Sequence, residues 1–468
     1  MMENGEKQYM TPREKEMATA NIPRLVLRYS IPTVIGMLVS AMYIVVDRFF
    51  VARIYGIGEY ALAGVTLASP VILILGAFSL LIGVGSAANI SIRLGRGDRD
   101  GAEKILGNCF TLNIIVSITM GALALIFLPQ LLTIFGADEY TLPFADIYTR
   151  IKIYGVVLMF LSWAMNHPIR AAGNAKRFAA AQLLGAILNI FLNPLFIFTF
   201  DMGLHGAAWS TVVAQGVSAT WVMMYYFRGQ PAIRLRLKNL KPDPKYIIAI
   251  ASIGVAPFLM QLLGSAVQAI ANNTLREFGG PYAIGAFGAI TAVTSLFVMP
   301  IFGIAQGSQP IIGFNFGAGN MERVRKAYFA SASYAVAICA IGTVLIVSSP
   351  AWIIGMFAES PEIVEMGAVG IRIMAFTMPF AAFQMNASTF FMAIGKAKKS
   401  VVLSVMRQGI VLIPLYLILP RFMGVDGIWW ATPAADLSAF AVTLFFILRE
   451  MRILNKKTLT VEAKSDTI

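Results

Sequence analysis

Asp47 closes an apolar run, Ile31–Val46, in a chain that offers few places to put a charge. An ionised Asp at the centre of a bilayer helix costs about 2.5–3.5 kcal/mol, so such a group normally faces a cavity and has a partner or a task. Burial favours its protonated form, whereas a bound cation or a basic neighbour favours its ionised form. A carboxylate held between those pulls can exchange a proton for Na⁺ or for a larger cation. Two plainer readings stand beside that one: an ion pair with Arg48 or Arg53, or simple exposure at the membrane surface. Asp146 is the other carboxylate expected inside a helix of the first half. It follows an acidic loop and is read as having no polar companion of its own.

Asn189 and Asn193 are four residues apart, one helical turn, so their amides share a face. With the Thr211 hydroxyl they could complete an oxygen shell for Na⁺ around Asp47, or a hydrogen-bonded network for a proton. They could equally be interhelical glue, at about 0.6 kcal/mol per bond. In the second half, Arg407 lies about eight residues into its expected helix, roughly 12 Å deep. Asp436 lies about eleven residues in from the other side, which leaves about 14 Å of a ~30 Å core beneath it. The depths agree, and the two are expected to pair, either as a structural clamp or as part of the coupling chemistry. Tyr43, Asn166, Gln215, Gln261, Gln268, Asn272, Gln306 and Gln384 are polar helix residues that could line a cavity, and packing between helices is the alternative for each. The 24 Met and 32 Phe suit an adaptable apolar cleft, and aromatic faces beside one carboxylate suit amphipathic organic cations.

The elements that position these residues follow from composition. With 58% hydrophobic and 13% charged residues, the chain needs a bilayer as its solvent. Twelve helices are expected near 24–52, 61–93, 105–130, 140–166, 177–200, 206–228, 246–275, 283–313, 326–350, 362–392, 400–420 and 426–450. The net charge of +13 invites a nucleic-acid partner, but 29 of the 37 Lys and Arg fall in the two tails and every second loop. The alternate loops carry Glu59, Asp138, Glu139, Asp201, Glu277, Glu359, Glu362 and Asp426. That asymmetry orients a multi-pass protein of the cell (inner) membrane with both tails in the cytoplasm. The first 23 residues lack an apolar segment and a cleavage site, so no signal peptide is expected. Cys109 and Cys339 lie in apolar runs and read as buried thiols. Two His, at 167 and 205, leave no basis for a metal or catalytic cluster, so an enzyme is not expected.

The chain also contains itself twice. Gly85-Ser86, Gly95, Gly97 and Asp98 recur 222 residues later as Gly307-Ser308, Gly317, Gly319 and Asn320. Met202-Gly203, Gly206, Trp209 and Thr211 recur at an offset of 221, and Pro32, Ser40-Ala41 and Asp47 recur at 225 as Pro257, Ser265-Ala266 and Asn272. An even number of crossings per copy gives parallel repeats, related by a pseudo-two-fold axis along the membrane normal. The expected organisation is a tail (1–23), a six-helix N-lobe (24–228), a linker (229–245), a six-helix C-lobe (246–450) and a second tail (451–468). Pro32 and Pro257 interrupt equivalent first helices, as hinges or as static kinks. By the repeat, Asp436 matches Gln215 and Asn272 matches Asp47, so the two copies have diverged.

The twelve-helix duplication, the loop Gln309-Pro-Ile-Ile-Gly-Phe-Asn-Phe-Gly-Ala-Gly-Asn320 and the run Arg170-Ala-Ala-Gly-Asn-Ala-Lys176 together resemble the multidrug and toxic compound extrusion (MATE) family. Ile44-Val-Val-Asp-Arg-Phe-Phe50 and Asn189-Ile-Phe-Leu-Asn-Pro194 point to its DinF-like, MepA-like branch. The resemblance implies antiport, with inward H⁺ or Na⁺ driving export of mostly cationic organic compounds, no cofactor beyond the coupling ion, and a monomer in the bilayer. It places the coupling site on Asp47, Asn189, Asn193 and Thr211, with Tyr43 and Asn166 nearby and a proline of the first helix at Pro32. One position departs from the pattern: Asn193 stands where the branch has a second acid. That leaves Asp47 as the one N-lobe charge carrier and weakens the case for Na⁺. A flippase for lipid-linked saccharides is the rival reading. It requires a strongly basic cavity, to which Arg150, Lys152 and Arg372 could contribute.

Overall fold

The computed structural model describes residues 10–228, 232–358 and 360–465. Residues 1–9 of the expected first tail, 229–231 of the expected linker, Glu359, and 466–468 of the second tail lie outside the described residues. Every regular element among the described residues is a helix, as hydrocarbon requires of a chain that must satisfy its own backbone.

A short helix, Pro12–Thr19, precedes α1 (Ile22–Val51), α2 (Gly58–Gly95) and α3 (Arg99–Ile126). The fourth crossing, α4, comes in three pieces: Leu142–Tyr154, Val156–Trp163 and Asn166–Ala171. Next come α5 (Ala175–Pro194, continued by a π segment, Leu195–Thr199) and α6 (Gly203–Arg228). In the second half a 74-residue run, Pro244–Gly317, folds back at Gly280 (φ 66°, ψ −161°) into α7 before it and α8 after it. Then follow α9 (Met321–Ser348), α10 (Pro361–Ala375 and Met378–Ala393, bent by 52°), α11 (Ala397–Val405, a π segment Met406–Leu412, and Ile413–Ile418) and α12 (Asp426–Ser465). The helices expected over 140–166 and 362–392 are therefore broken. Gly155 ends the first piece of α4, and Pro379 forces the bend before it in α10. α12 runs fifteen residues past its expected end at 450.

The duplication is written into the backbone. Glycines of positive φ pair across the halves: Gly56 with Gly280, Gly97 with Gly319, Gly173 with Gly395, and Gly203 with Gly424. Asp98 and Asn320 both cap the helix that follows, accepting from the N–H three residues on. At the seam the contacts are reciprocal. Gly95 lies against the Phe314 carbonyl, and Gly317, its repeat, lies against the carbonyl of Ile92, the repeat of Phe314. A Cβ on either glycine would collide with backbone of the other lobe.

These lobe-to-lobe contacts concentrate toward the face that bears the chain ends. Asn89 donates to the Ala249 carbonyl (2.9 Å), Ser30 to that of Ile304 (3.4 Å), and Arg170 to Gln309 (3.0 Å). The linker is pinned beneath them, with Arg236 on Glu103 at 2.7 Å and the Asp243 N–H on Asn108 at 2.8 Å. Among the described residues, no hydrogen bond or ion pair joins the lobes on the opposite side, and Met42, Val45 and Gln268 are exposed there. The cleft opens toward that opposite face. α1 runs unbroken through Pro32, the expected hinge.

Candidate functional site

Two helix termini and one close approach assemble the N-lobe site. Pro194 has no N–H to give the ladder, and directly after it α5 widens into its π segment, where the Phe200 N–H reaches back five residues to Leu195 (2.9 Å). α6 comes in tightly against that turn because position 206 is glycine: a Cβ there would lie 2.6 Å from the Phe196 carbonyl carbon. The repeat preserves the device, with Gly427 against Leu419. Asn193, in the last turn before the widening, thereby meets Ser210 on α6.

Asp47, four residues before the end of α1, is 6% exposed. Its Oδ1 accepts from Asn193 Nδ2 at 2.8 Å and its Oδ2 from the Tyr148 hydroxyl at 3.2 Å. Asn193 Nδ2 also reaches Asn189 Oδ1 (3.1 Å), while Asn193 Oδ1 accepts from Ser210 Oγ. Asn189 donates to Thr211 Oγ1 (3.1 Å), whose own hydroxyl goes to the Ala207 carbonyl (3.2 Å). Helices α1, α4, α5 and α6 thus share one buried polar chain. A cluster of Val51, Ile54, Ala61, Val65, Ala68, Ile197, Leu204 and Val212 packs around Tyr148 and covers it. The coupling candidates Asp47, Asn189, Asn193 and Thr211 are all in this chain, and every donor on the Asp47 oxygens is neutral.

The plainer readings of Asp47 are not what the structure contains. Arg53 is spent on the Phe49 carbonyl (3.2 Å) and ring, and the Arg48 side chain is exposed. Neither forms an ion pair with Asp47. Asp146 corrects the expectation that it lacks a companion: Arg150, one turn on, grips it in a fork at 2.7 and 3.0 Å. Asn166 corrects another. It is 3% exposed and donates to the Phe178 carbonyl (3.0 Å), so it packs α4 on α5 and does not line an open cleft. Gln384 is likewise buried on the Leu403 carbonyl. Tyr43, Gln215, Gln261, Asn272 and Gln306 are half-buried, and Gln268 is exposed and donates to Asn272 (3.3 Å).

Arg407 Nε stands 2.6 Å from Asp436 Oδ1, and Thr377 fills Oδ2 at 2.9 Å. Arg407 sits inside the π segment of α11, so both the fifth helix and its repeat widen beside their key polar residue. Tyr148, Ser210 and the placement of Lys152 were not singled out for this site by sequence. The spacing Tyr148-x₃-Lys152 puts both on one face of α4, and Lys152 Nζ lies 4.7 Å from the Tyr148 ring centroid.

Twelve helices in two parallel halves, with a buried carboxylate beside the cleft between them, define a membrane transporter of the duplicated two-lobe type. The MatE family model matches residues 32–195 and again 257–418, once in each lobe, and the chain belongs to that family. Multidrug export protein MepA of Staphylococcus aureus (strain MRSA252) is 25% identical over 431 residues, covering 91% of this chain and 94% of its own. Its namesake in Staphylococcus haemolyticus is 23% identical over 445 residues, covering 94% and 97%. Among solved structures, the outward-facing conformation of a multidrug resistance MATE family transporter of the MOP superfamily superposes with a TM-score of 0.89 at 25% identity. It covers 96% of this chain and 100% of its own. A MATE structure in the straight conformation matches equally well, with the same identity and coverage.

Proposed function

We propose that the chain is a secondary antiporter that exports amphipathic organic cations by alternating access, with inward H⁺ or Na⁺ as the driving ion. The observation that carries this is Asp47: buried, ionisable, and bonded by neutral donors alone, in the lobe that rocks against the seam. A carboxylate in that setting exchanges its cation as water reaches it from one face and then the other. Relatives named for multidrug export support the cargo class. The basic loops put the chain ends in the cytoplasm of a cell membrane, which makes the cleft described above outward-open. The saccharide flippase is not favoured, since Arg150 is neutralised by Asp146 and Arg407 by Asp436.

The test is uptake of a fluorescent cationic dye into everted vesicles, with ΔpH and Na⁺ gradients imposed separately. One of them should drive uptake in the wild type, and neither should in Asp47→Asn. Uptake that follows the gradient without Asp47 would overturn the proposal.

A further inference from the structure

Two features of the site have no place in that scheme as it stands. The position four residues after Asn189 is an amide, so the site holds one carboxylate. A lysine stands two short links away from it: Lys152 Nζ over the Tyr148 ring at 4.7 Å, and the Tyr148 hydroxyl on Asp47 at 3.2 Å. Lys152 and Asp47 act on one another electrostatically although not in contact. Neither has an ion-pair partner among the described residues, while Asp146 and Arg150, on the same helix, neutralise each other.

The other surroundings of Asp47 supply no competing charge. α1 contributes Tyr43 and Arg48, both close enough to act on Tyr148, with Arg48 turned outward. α5 and α6 contribute Asn189, Asn193, Ser210 and Thr211, all neutral, and α2 packs with Ala61, Val65 and Ala68. The site therefore contains one carboxylate and one ammonium, a closed pair of charges that needs no metal ion to balance it.

We propose that Lys152 is the resident counter-ion of this transporter, taking at Asp47 the place a transported Na⁺ would need, so that the coupling ion is H⁺. The inference rests on Asp47 being the coupling carboxylate. A lysine side chain is long enough to alternate between the Tyr148 ring and Asp47 while its helix stays still. When Asp47 is empty the ammonium swings onto it. When a proton neutralises Asp47, the ammonium returns to the ring face. Na⁺ entering the same site would have to displace a tethered cation, at a cost a second acid would have lowered. Asn193 withholds that acid. An ammonium on four carbons suits this shuttle, as a compact, strongly hydrated point charge.

The sign of the pH effect follows. Lys152 favours the ionised form of Asp47, so removing its charge makes Asp47 hold its proton more firmly. Release then requires a higher pH. Lys152→Gln should move the pH profile of dye export upward by roughly one unit, while Lys152→Arg, which keeps the charge, should leave it within about a quarter of that shift. Lys152→Gln combined with Asn193→Asp removes the cation and adds the acid, and export by that variant should become responsive to a Na⁺ gradient. A readout independent of transport uses the purified proteins. The melting temperature of the wild type should be the same in NaCl and KCl at equal ionic strength, and that of the double variant should rise in NaCl.

Wild-type export that follows a Na⁺ gradient with ΔpH clamped would overturn the proposal. So would a Lys152→Gln profile that does not move, or wild-type melting that rises in NaCl over KCl. Absence of any gradient-driven export in the wild type would instead strike the antiport reading, and the melting comparison would still decide the Lys152 assignment.

Discussion

Replacing Arg170 and Gln309 together, as Arg170→Met with Gln309→Leu, should hold the transporter in the state described here. Arg170 is 0% exposed and has no carboxylate beside it. It donates to Gln309 across the seam at 3.0 Å, stands 3.3 Å from His167 Nδ1, and lies 5.0 Å from the Phe178 ring. Its Nε and Nη1, and Nε2 of Gln309, are buried with no acceptor. At the low end, three orphaned donors at about 1 kcal/mol each outweigh about 1.5 kcal/mol for one charge-assisted bond. The balance, about 1.5 kcal/mol, disfavours the closed seam and would be relieved when the lobes part and water reaches the guanidinium. The apolar pair removes that bias, because replacing both partners leaves nothing unpaired.

The closed-seam state should then gain roughly tenfold in population. Spin labels on the outer ends of α1 and α7, read by pulsed dipolar spectroscopy, measure that population directly. Dye export should slow as the longer distance becomes dominant, and the melting temperature should hold or rise. A shift toward the shorter outer distance, or a fall in melting temperature, would show that Arg170 is a clasp and refute the reasoning.

The Arg407–Asp436 pair should behave as a clamp. Truncating either residue alone is expected to cost about 3–5 kcal/mol and most of the folded yield, while an apolar replacement of both restores it; size-exclusion profiles of solubilised protein distinguish these outcomes. Gly206→Val should lower the melting temperature by forcing α6 off the Phe196 backbone, an overpacking cost of about 1–3 kcal/mol or more, and the same change at Gly427 should act likewise in the other lobe.

Much of this architecture was legible in sequence because lipid leaves so few options. Apolar runs had to be helices, basic loops had to alternate, and the offset between Gly97 and Gly319 had to reappear as equivalent turns. Asp47, Asn189, Asn193 and Thr211 could be grouped because their spacing and type survive any small error in helix ends. What escaped was phase. Helix α4 is three pieces, and each break rotates the next face, so Asn166 turns into the lobe while Tyr148 turns onto Asp47. The Asp146–Arg150 fork was one turn apart and readable by helix spacing alone. Lys152 was visible as a basic residue, but its neighbours were not, since only the fold brings α1 beside α4.

The two lobes carry the same backbone and opposite charge designs. In the C-lobe, Asp436 is 3% exposed and saturated: Arg407 takes one oxygen and Thr377 the other. A guanidinium does not lose its charge in a protein, so that carboxylate has a permanent counter-ion and nothing to exchange. In the N-lobe, Asp47 accepts from an amide and a phenol, which hold it in place without neutralising it. The nearby cation is a lysine on a flexible stem, stacked on a ring and free of any ion pair. One half is thus built around a fixed pair and the other around a separable one. Rocking motion needs the first to stay whole while the second opens, and that division of labour is why the repeat keeps its glycines and turns but not its acids.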